Sequence, residues 1–156
     1  MYGFEQITAH ELNHSIFLLG DEYPSGDYSN PLTFPNCAFS DQCFKWKDLI
    51  DAQIGDADCY PYSCGGGSFW GTSENNNMVN QYIDDLGTVN ERLVCCRYID
   101  ITHNAPPFCD QFTNPSKNLN LHAFCSGPNR ITLTSFVLNG LKKNMSAENL
   151  ARANAC

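Results

Sequence analysis

Two histidines stand four residues apart, with a glutamate beside the first, in His10-Glu11-Leu12-Asn13-His14. Positions four apart on a helix share a face, so both imidazoles can address one ion. Glu11 is then placed to touch a water on that ion. Two neutral imidazoles and an oxygen ligand suit zinc, and three protein ligands leave a fourth position for water. Bound zinc lowers the pKa of that water to about 7, and a neighbouring carboxylate can accept its proton. That chemistry hydrolyses peptide bonds. The third ligand must come from beyond the helix. Gly20 follows the apolar run Ile16-Phe17-Leu18-Leu19 and reads as a helix stop, after which the chain can turn back and present Asp21. Glu22 is the rival at this point, and the distant Glu74 or Glu91 is a further alternative.

The elements that must position these groups can be read from periodicity. A helix over residues 4–19 would carry Leu12, Ile16 and Leu19 at core-facing spacing, with the histidines on another side. Residues 23–36 have loop composition, and Asp21, Glu22 and Asp27 read as a solvated acidic loop rather than a calcium site. A short amphipathic helix over 45–54 would bury Trp46, Leu49, Ile50 and Ile54 and end at Gly55. Residues 56–71 read as irregular, with Gly65-Gly66-Gly67 a flexible turn. Ser73 to Met78 is polar and turn-prone. A second long helix begins at Thr88, where Thr88 and Glu91 match a capping box, and ends before Asn104-Ala105-Pro106-Pro107. Val89, Leu93 and Cys96 would share its inner face. Residues 130–138 alternate as a strand does, Ser146 can cap a final helix ending near Cys156, and Asn144-Met145-Ser146 matches a glycosylation acceptor.

With 156 residues and 42% hydrophobic content the chain is long enough for one buried core. A net charge of −8 argues against a nucleic-acid partner and an anionic membrane surface. No apolar run reaches the ~20 residues of a transmembrane helix. Nine cysteines without any C-x-x-C pair imply disulfides, hence a secreted protein in an oxidising compartment. Nine is odd, so at least one thiol is free, pairs between chains, or has lost its partner to truncation. Met1-Tyr2-Gly3-Phe4-Glu5 does not resemble a secretory leader, which suggests that the chain is a C-terminal piece of something longer.

His10-Glu11-Leu12-Asn13-His14-Ser15, followed by Leu19-Gly20-Asp21-Glu22-Tyr23, resembles the pattern H-E-x-G-H-S … L-x-D-E-Y of the bacterial IgA-cleaving zinc metallopeptidase family. Trp70-Gly71-Thr72-Ser73-Glu74-Asn75, then Met78, then Leu86-Gly87-Thr88-Val89-Asn90-Glu91 is similar to that family's later blocks, Y/W-R-P-T/S-x-N, a methionine, and F-G-x-V-N-E. The segment from Cys37 to Leu49, with Lys45-Trp46-Lys47, resembles the insert between them. Asn13 and Phe17 stand where the family has small residues, and Gly71-Thr72 stands in place of Arg-Pro.

The resemblance implies an α/β, metzincin-like lower lobe, helix-rich with few strands and stapled by disulfides, whose upper sheet lobe is absent. It implies a partial catalytic domain over residues 1–104 and a Cys-rich extension over 105–156. His10, His14 and Asp21 would be zinc ligands, Glu11 the general base, and Met78 the methionine of the turn beneath the metal. The implied function is a secreted zinc endopeptidase acting on a protein or peptide substrate. The alternative is a catalytically inactive zinc-binding domain that recognises protein or glycan.

Overall fold

The computed structural model describes residues 3–23, 34–64 and 69–126. Asp27, the glycine run 65–67, the expected strand over 130–138, Asn144, the helix from Ser146 and Cys156 lie outside the described residues.

The architecture mixes helices with two small antiparallel sheets, broadly an α/β arrangement. Helix α1 (Phe4–Ser15) carries the His-Glu-x-x-His motif. It is followed by a short helix α2 (Lys47–Asp51), a hairpin of β1 (Tyr60–Cys64) and β2 (Phe69–Gly71), and the long helix α3 (Thr88–Thr102). Beyond α3, a 3₁₀ turn leads into the two-residue strand β3 (Thr113–Asn114), which pairs with β4 (Leu119–Asn120) across a second 3₁₀ turn, and α4 (Leu121–Ser126) closes the described chain. Among the described residues, no helix is long and apolar enough to cross a membrane.

The core gathers Trp46, Leu49, Met78, Val89 and Leu93 with Phe112, Leu119 and Leu121 from beyond α3. Trp46 and Leu49 are buried as their spacing predicts, with Ile50 and Ile54 packed against the same cluster. The Trp46 indole donates to the Asp58 carbonyl at 2.7 Å, so its polar edge is satisfied inside the core. Arg92 is buried too. Its guanidinium meets both Asp48 oxygens, at 2.5 and 3.0 Å, and lies 3.6 Å from the Phe124 ring centroid.

Among the described residues, four disulfides staple this core. Cys37–Cys64 encloses Cys43–Cys59, fastening the α2 region to the hairpin, while Cys95–Cys109 and Cys96–Cys125 fasten the segment after α3 back onto that helix. Loops of this size each remove roughly 3 kcal/mol of chain entropy from the unfolded state.

Several local expectations are overturned. Helix α1 ends at Ser15, not Leu19. The turn is made by Leu18 at a φ of 60°, and the Leu19 N–H reaches back to the Asn13 carbonyl at 3.1 Å. Gly20 is needed for a different reason: a side chain there would collide with the Phe34 ring. The buried side of α1 is His10 and Asn13, whereas Leu12 and Ile16 are 46% and 41% exposed. The helix is held by polar contacts rather than by an apolar stripe. Gln6 donates to Asp84 at 2.8 Å, and Arg97 donates to the Ile16 carbonyl at 3.1 Å.

The capping box at Thr88 does not form. Gly87, at a φ of 80°, precedes the helix, and Thr88 is its first residue. Asp56 does the capping from a distance, accepting from the Thr88 N–H at 2.7 Å while the Thr88 hydroxyl accepts from the Asp56 N–H at 3.2 Å. Glu91 instead accepts from Gln111. Residues 56–71, expected to be irregular, contain the hairpin, with Tyr60 opposite Gly71 and Cys64 opposite Phe69. Trp70 extends it by exchanging backbone hydrogen bonds with Ala38 at 2.8 and 3.0 Å.

Candidate metal centre

One turn of α1 places His10 and His14 side by side, and the turn at Leu18 returns the chain so that Asp21 faces both. His10 Nε2 and His14 Nε2 are 3.1 Å apart, and each is 3.1 Å from Asp21 Oδ1. The three donor atoms form an equilateral triangle, a group that could hold a metal ion. Ligands at about 2.0–2.1 Å from a tetrahedral ion stand roughly 3.3 Å from one another, so the triangle is the size of one tetrahedral face.

The partners of the other ring nitrogens fix the chemistry. His10 Nδ1 lies 2.9 Å from the Asn77 carbonyl, and His14 Nδ1 lies 2.8 Å from the Leu19 carbonyl. A carbonyl only accepts, so each Nδ1 carries its proton, and in the neutral ring each Nε2 presents a lone pair. Two lone pairs and a carboxylate oxygen therefore point at one another. That is unfavourable unless positive charge sits between them, as a metal ion or as protons. His14 responds accordingly. Burial works against its charged form, but the hydrogen bond to Asp21, the Leu19 carbonyl and the charges of Asp21 and Glu11 outweigh it and raise its pKa above the ordinary histidine value.

The loop bearing Asp21 is anchored on both sides. Asn36 accepts from the Gly20 N–H at 2.8 Å and donates to the Gly20 carbonyl at 2.7 Å. The Glu22 N–H donates to the Met78 carbonyl at 2.8 Å. The second oxygen of Asp21 accepts from the Tyr23 hydroxyl at 2.8 Å. Burial, then the bond to Asp21 and the nearby negative charges, push the Tyr23 phenol up to about 12.

Glu22 is neither a solvated acid nor a donor to this group. It is fully buried. Its carboxylate accepts from the Thr72 N–H at 2.6 Å, from the Thr72 hydroxyl at 2.8 Å, from Asn90 at 2.8 Å and from Asn36 at 3.0 Å. Burial raises its pKa despite these bonds. It is the knot that ties the Asp21 loop to Thr72 just after β2, to α3 and to the segment at Asn36. Gly71 and Thr72 are both required by this carboxylate. A Cβ at Gly71 would collide with Ser63 and the Glu22 carboxylate, and a proline at position 72 would supply neither donor.

Glu11 is exposed on the solvent side of α1, close enough that its charge is felt by His14 and Tyr23. Met78 is fully buried in the core, and the turn that holds it contacts His10 through its backbone neighbour Asn77. The Asn77 side chain also accepts from Asn13 at 3.2 Å and donates to the Ile83 carbonyl at 2.8 Å. Glu74 and Glu91 are engaged elsewhere, with Tyr60 and Gln111. Sequence reasoning assigned no role to Tyr23, Asn36, Thr72, Asn77 or Asn90. Tyr23, Thr72 and Asn90 fall inside the motif blocks read from the sequence, whereas Asn36 and Asn77 fall outside them and carry no signal there.

Comparison of the chain with protein-family models, with curated proteins and with solved structures returned no match.

Proposed function

We propose that the chain is part of a secreted, zinc-dependent endopeptidase. The observation that carries this reading is the convergence of His10 Nε2, His14 Nε2 and Asp21 Oδ1, with both Nδ1 protons committed to carbonyls. Two nitrogens and one oxygen match the donor set of a hydrolytic zinc site, which keeps its fourth position for water. Zinc, when bound, polarises a scissile carbonyl and lowers the pKa of its water. His10, His14 and Asp21 would hold it. Glu11, on the solvent side of the same helix, accepts the proton that the attacking water loses and delivers it to the leaving amine. The disulfides support a site of action outside the reducing cytosol. The metzincin-like likeness of the motif order around His10 and Met78 points the same way.

Hydrolysis of a denatured protein by the zinc-loaded chain, compared with Glu11→Ala, tests the assignment. Loss of about 100-fold or more in rate supports it. Equal rates in the two proteins contradict it.

A second reading is a metal-holding recognition domain without turnover. It is favoured by two exposed aromatic rings at the hairpin: Tyr62, stacked on the partly buried Trp70 at 6.4 Å, and Phe39, which precedes the hairpin and lies against the partly buried Phe69 at 5.8 Å. Zinc bound at one equivalent, with no cleavage of any member of a peptide library, would favour it over the first.

A further inference from the structure

The two oxygens of Asp21 face different partners. Oδ1 stands 3.1 Å from each histidine Nε2, while Oδ2 accepts from the Tyr23 hydroxyl at 2.8 Å. A carboxylate beside a metal can bind through one oxygen or both, and the choice sets the coordination number. One oxygen with two imidazoles and a water gives four-coordination, the geometry zinc favours. Two oxygens raise the number to five and suit larger, oxygen-preferring dications.

The backbone on either side of Asp21 is pinned. Asn36 clamps Gly20 on one side, and the Met78 carbonyl holds the Glu22 N–H on the other. Rotation of the side chain could still bring Oδ2 toward the ion, and that is the oxygen the Tyr23 hydroxyl holds. We infer that Tyr23 is a positioning residue: its hydroxyl holds Asp21 Oδ2 away from the metal, enforces coordination through Oδ1 alone, and so makes the site selective for a four-coordinate ion. This rests on the proposed metal site and adds to it the device that sets its coordination.

The test uses the full 156-residue chain, loaded with zinc or with cobalt(II) as a spectroscopic substitute, together with Tyr23→Phe. X-ray absorption of the zinc-loaded wild type should count four light ligands, and its cobalt form should show the intense visible bands of a four-coordinate ion. Tyr23→Phe should lose that intensity as coordination rises, bind zinc about 10–100-fold more weakly, and narrow the preference for zinc over manganese(II). Unfolding of the metal-free proteins checks that Tyr23→Phe still folds. If it does not, the ligand count in the wild type decides alone, and a carboxylate bound through both oxygens overturns the inference. A folded Tyr23→Phe with unchanged affinity and spectrum overturns it while leaving the metal site standing. A wild type that binds neither zinc nor cobalt overturns the inference and the site together.

Discussion

The His10 ring donates through Nδ1 to the backbone carbonyl of Asn77, 67 positions away in the chain, at 2.9 Å. This bond joins the motif helix to the turn that carries Met78, and it leaves His10 Nε2 bare toward His14 and Asp21. The Asn77 side chain reinforces it by bonding Asn13, one helical turn further along α1.

Replacement of Asn77 by alanine keeps the carbonyl but removes the brace. Asn13 would lose a buried acceptor, and the Ile83 carbonyl a donor. The variant should lose about 1–3 kcal/mol of stability, as expected for unsatisfied buried groups. Urea denaturation of the metal-free chain would show this as a lower midpoint at constant slope. An unchanged midpoint would mean that the brace contributes nothing.

Glu22→Ala should be more damaging than any alanine substitution at the metal triangle. It strands donors from Thr72, Asn36 and Asn90 in a fully buried place. The cost should be at least about 3 kcal/mol, since several buried donors are orphaned at once. Thermal unfolding beside Asp21→Ala measures the contrast, and a smaller loss in Glu22→Ala would refute the role of Glu22 as the knot.

Asp56 makes part of the stability acid-sensitive. Burial pushes its carboxyl up, but hydrogen bonds from the Thr88 N–H, the Thr88 hydroxyl and Ser73 outweigh this and hold it below its ordinary value. A depressed folded pKa means that the unfolded chain takes up the proton first. The stabilisation is therefore complete above the unfolded value and is lost as pH falls through the folded one. Between about pH 5 and 2 the wild type should lose more stability than Asp56→Asn, whose side chain does not titrate there. Parallel curves for the two proteins would remove Asp56 from the account.

Asp48→Ala leaves Arg92 charged inside the core with only the Lys45 carbonyl, at 3.4 Å, and the Phe124 ring against its guanidinium. Breaking a pair with one buried member should cost about 3 kcal/mol. Replacing Arg92 by methionine together with Asp48→Ala should recover much of that loss, because no charge is then buried. A double variant less stable than Asp48→Ala would contradict this.

The spacing of His10 and His14 was legible because it is a property of a single helical turn, and Asp21 because few residues separate it from that turn. Glu22 was not legible. An acid in a Pro- and Gly-rich stretch looks solvated, and the donors that bury it come from positions 14, 50 and 68 residues away. The face of α1 was misread for a related reason. Leu12 and Ile16 have core-like spacing, but the surface that meets the helix is the Asn76-Asn77-Met78 turn, whose carbonyl and amide select His10 and Asn13. The hairpin was hidden because Pro61, and Tyr62 at a φ of 59°, break the alternation that marks a strand. The density of cysteines foretold disulfides, while the enclosure of Cys43–Cys59 within Cys37–Cys64 depends on how the chain after α2 returns to the segment before it.

Equilibrium dialysis of the chain against zinc, followed by metal analysis of the wild type and of Asp21→Ala, addresses the central claim most directly. The wild type should retain one equivalent, and Asp21→Ala should bind about 100-fold more weakly or not at all. A wild type that retains no zinc, or an Asp21→Ala protein that retains as much as the wild type, would contradict the assignment of His10, His14 and Asp21 as one metal cage.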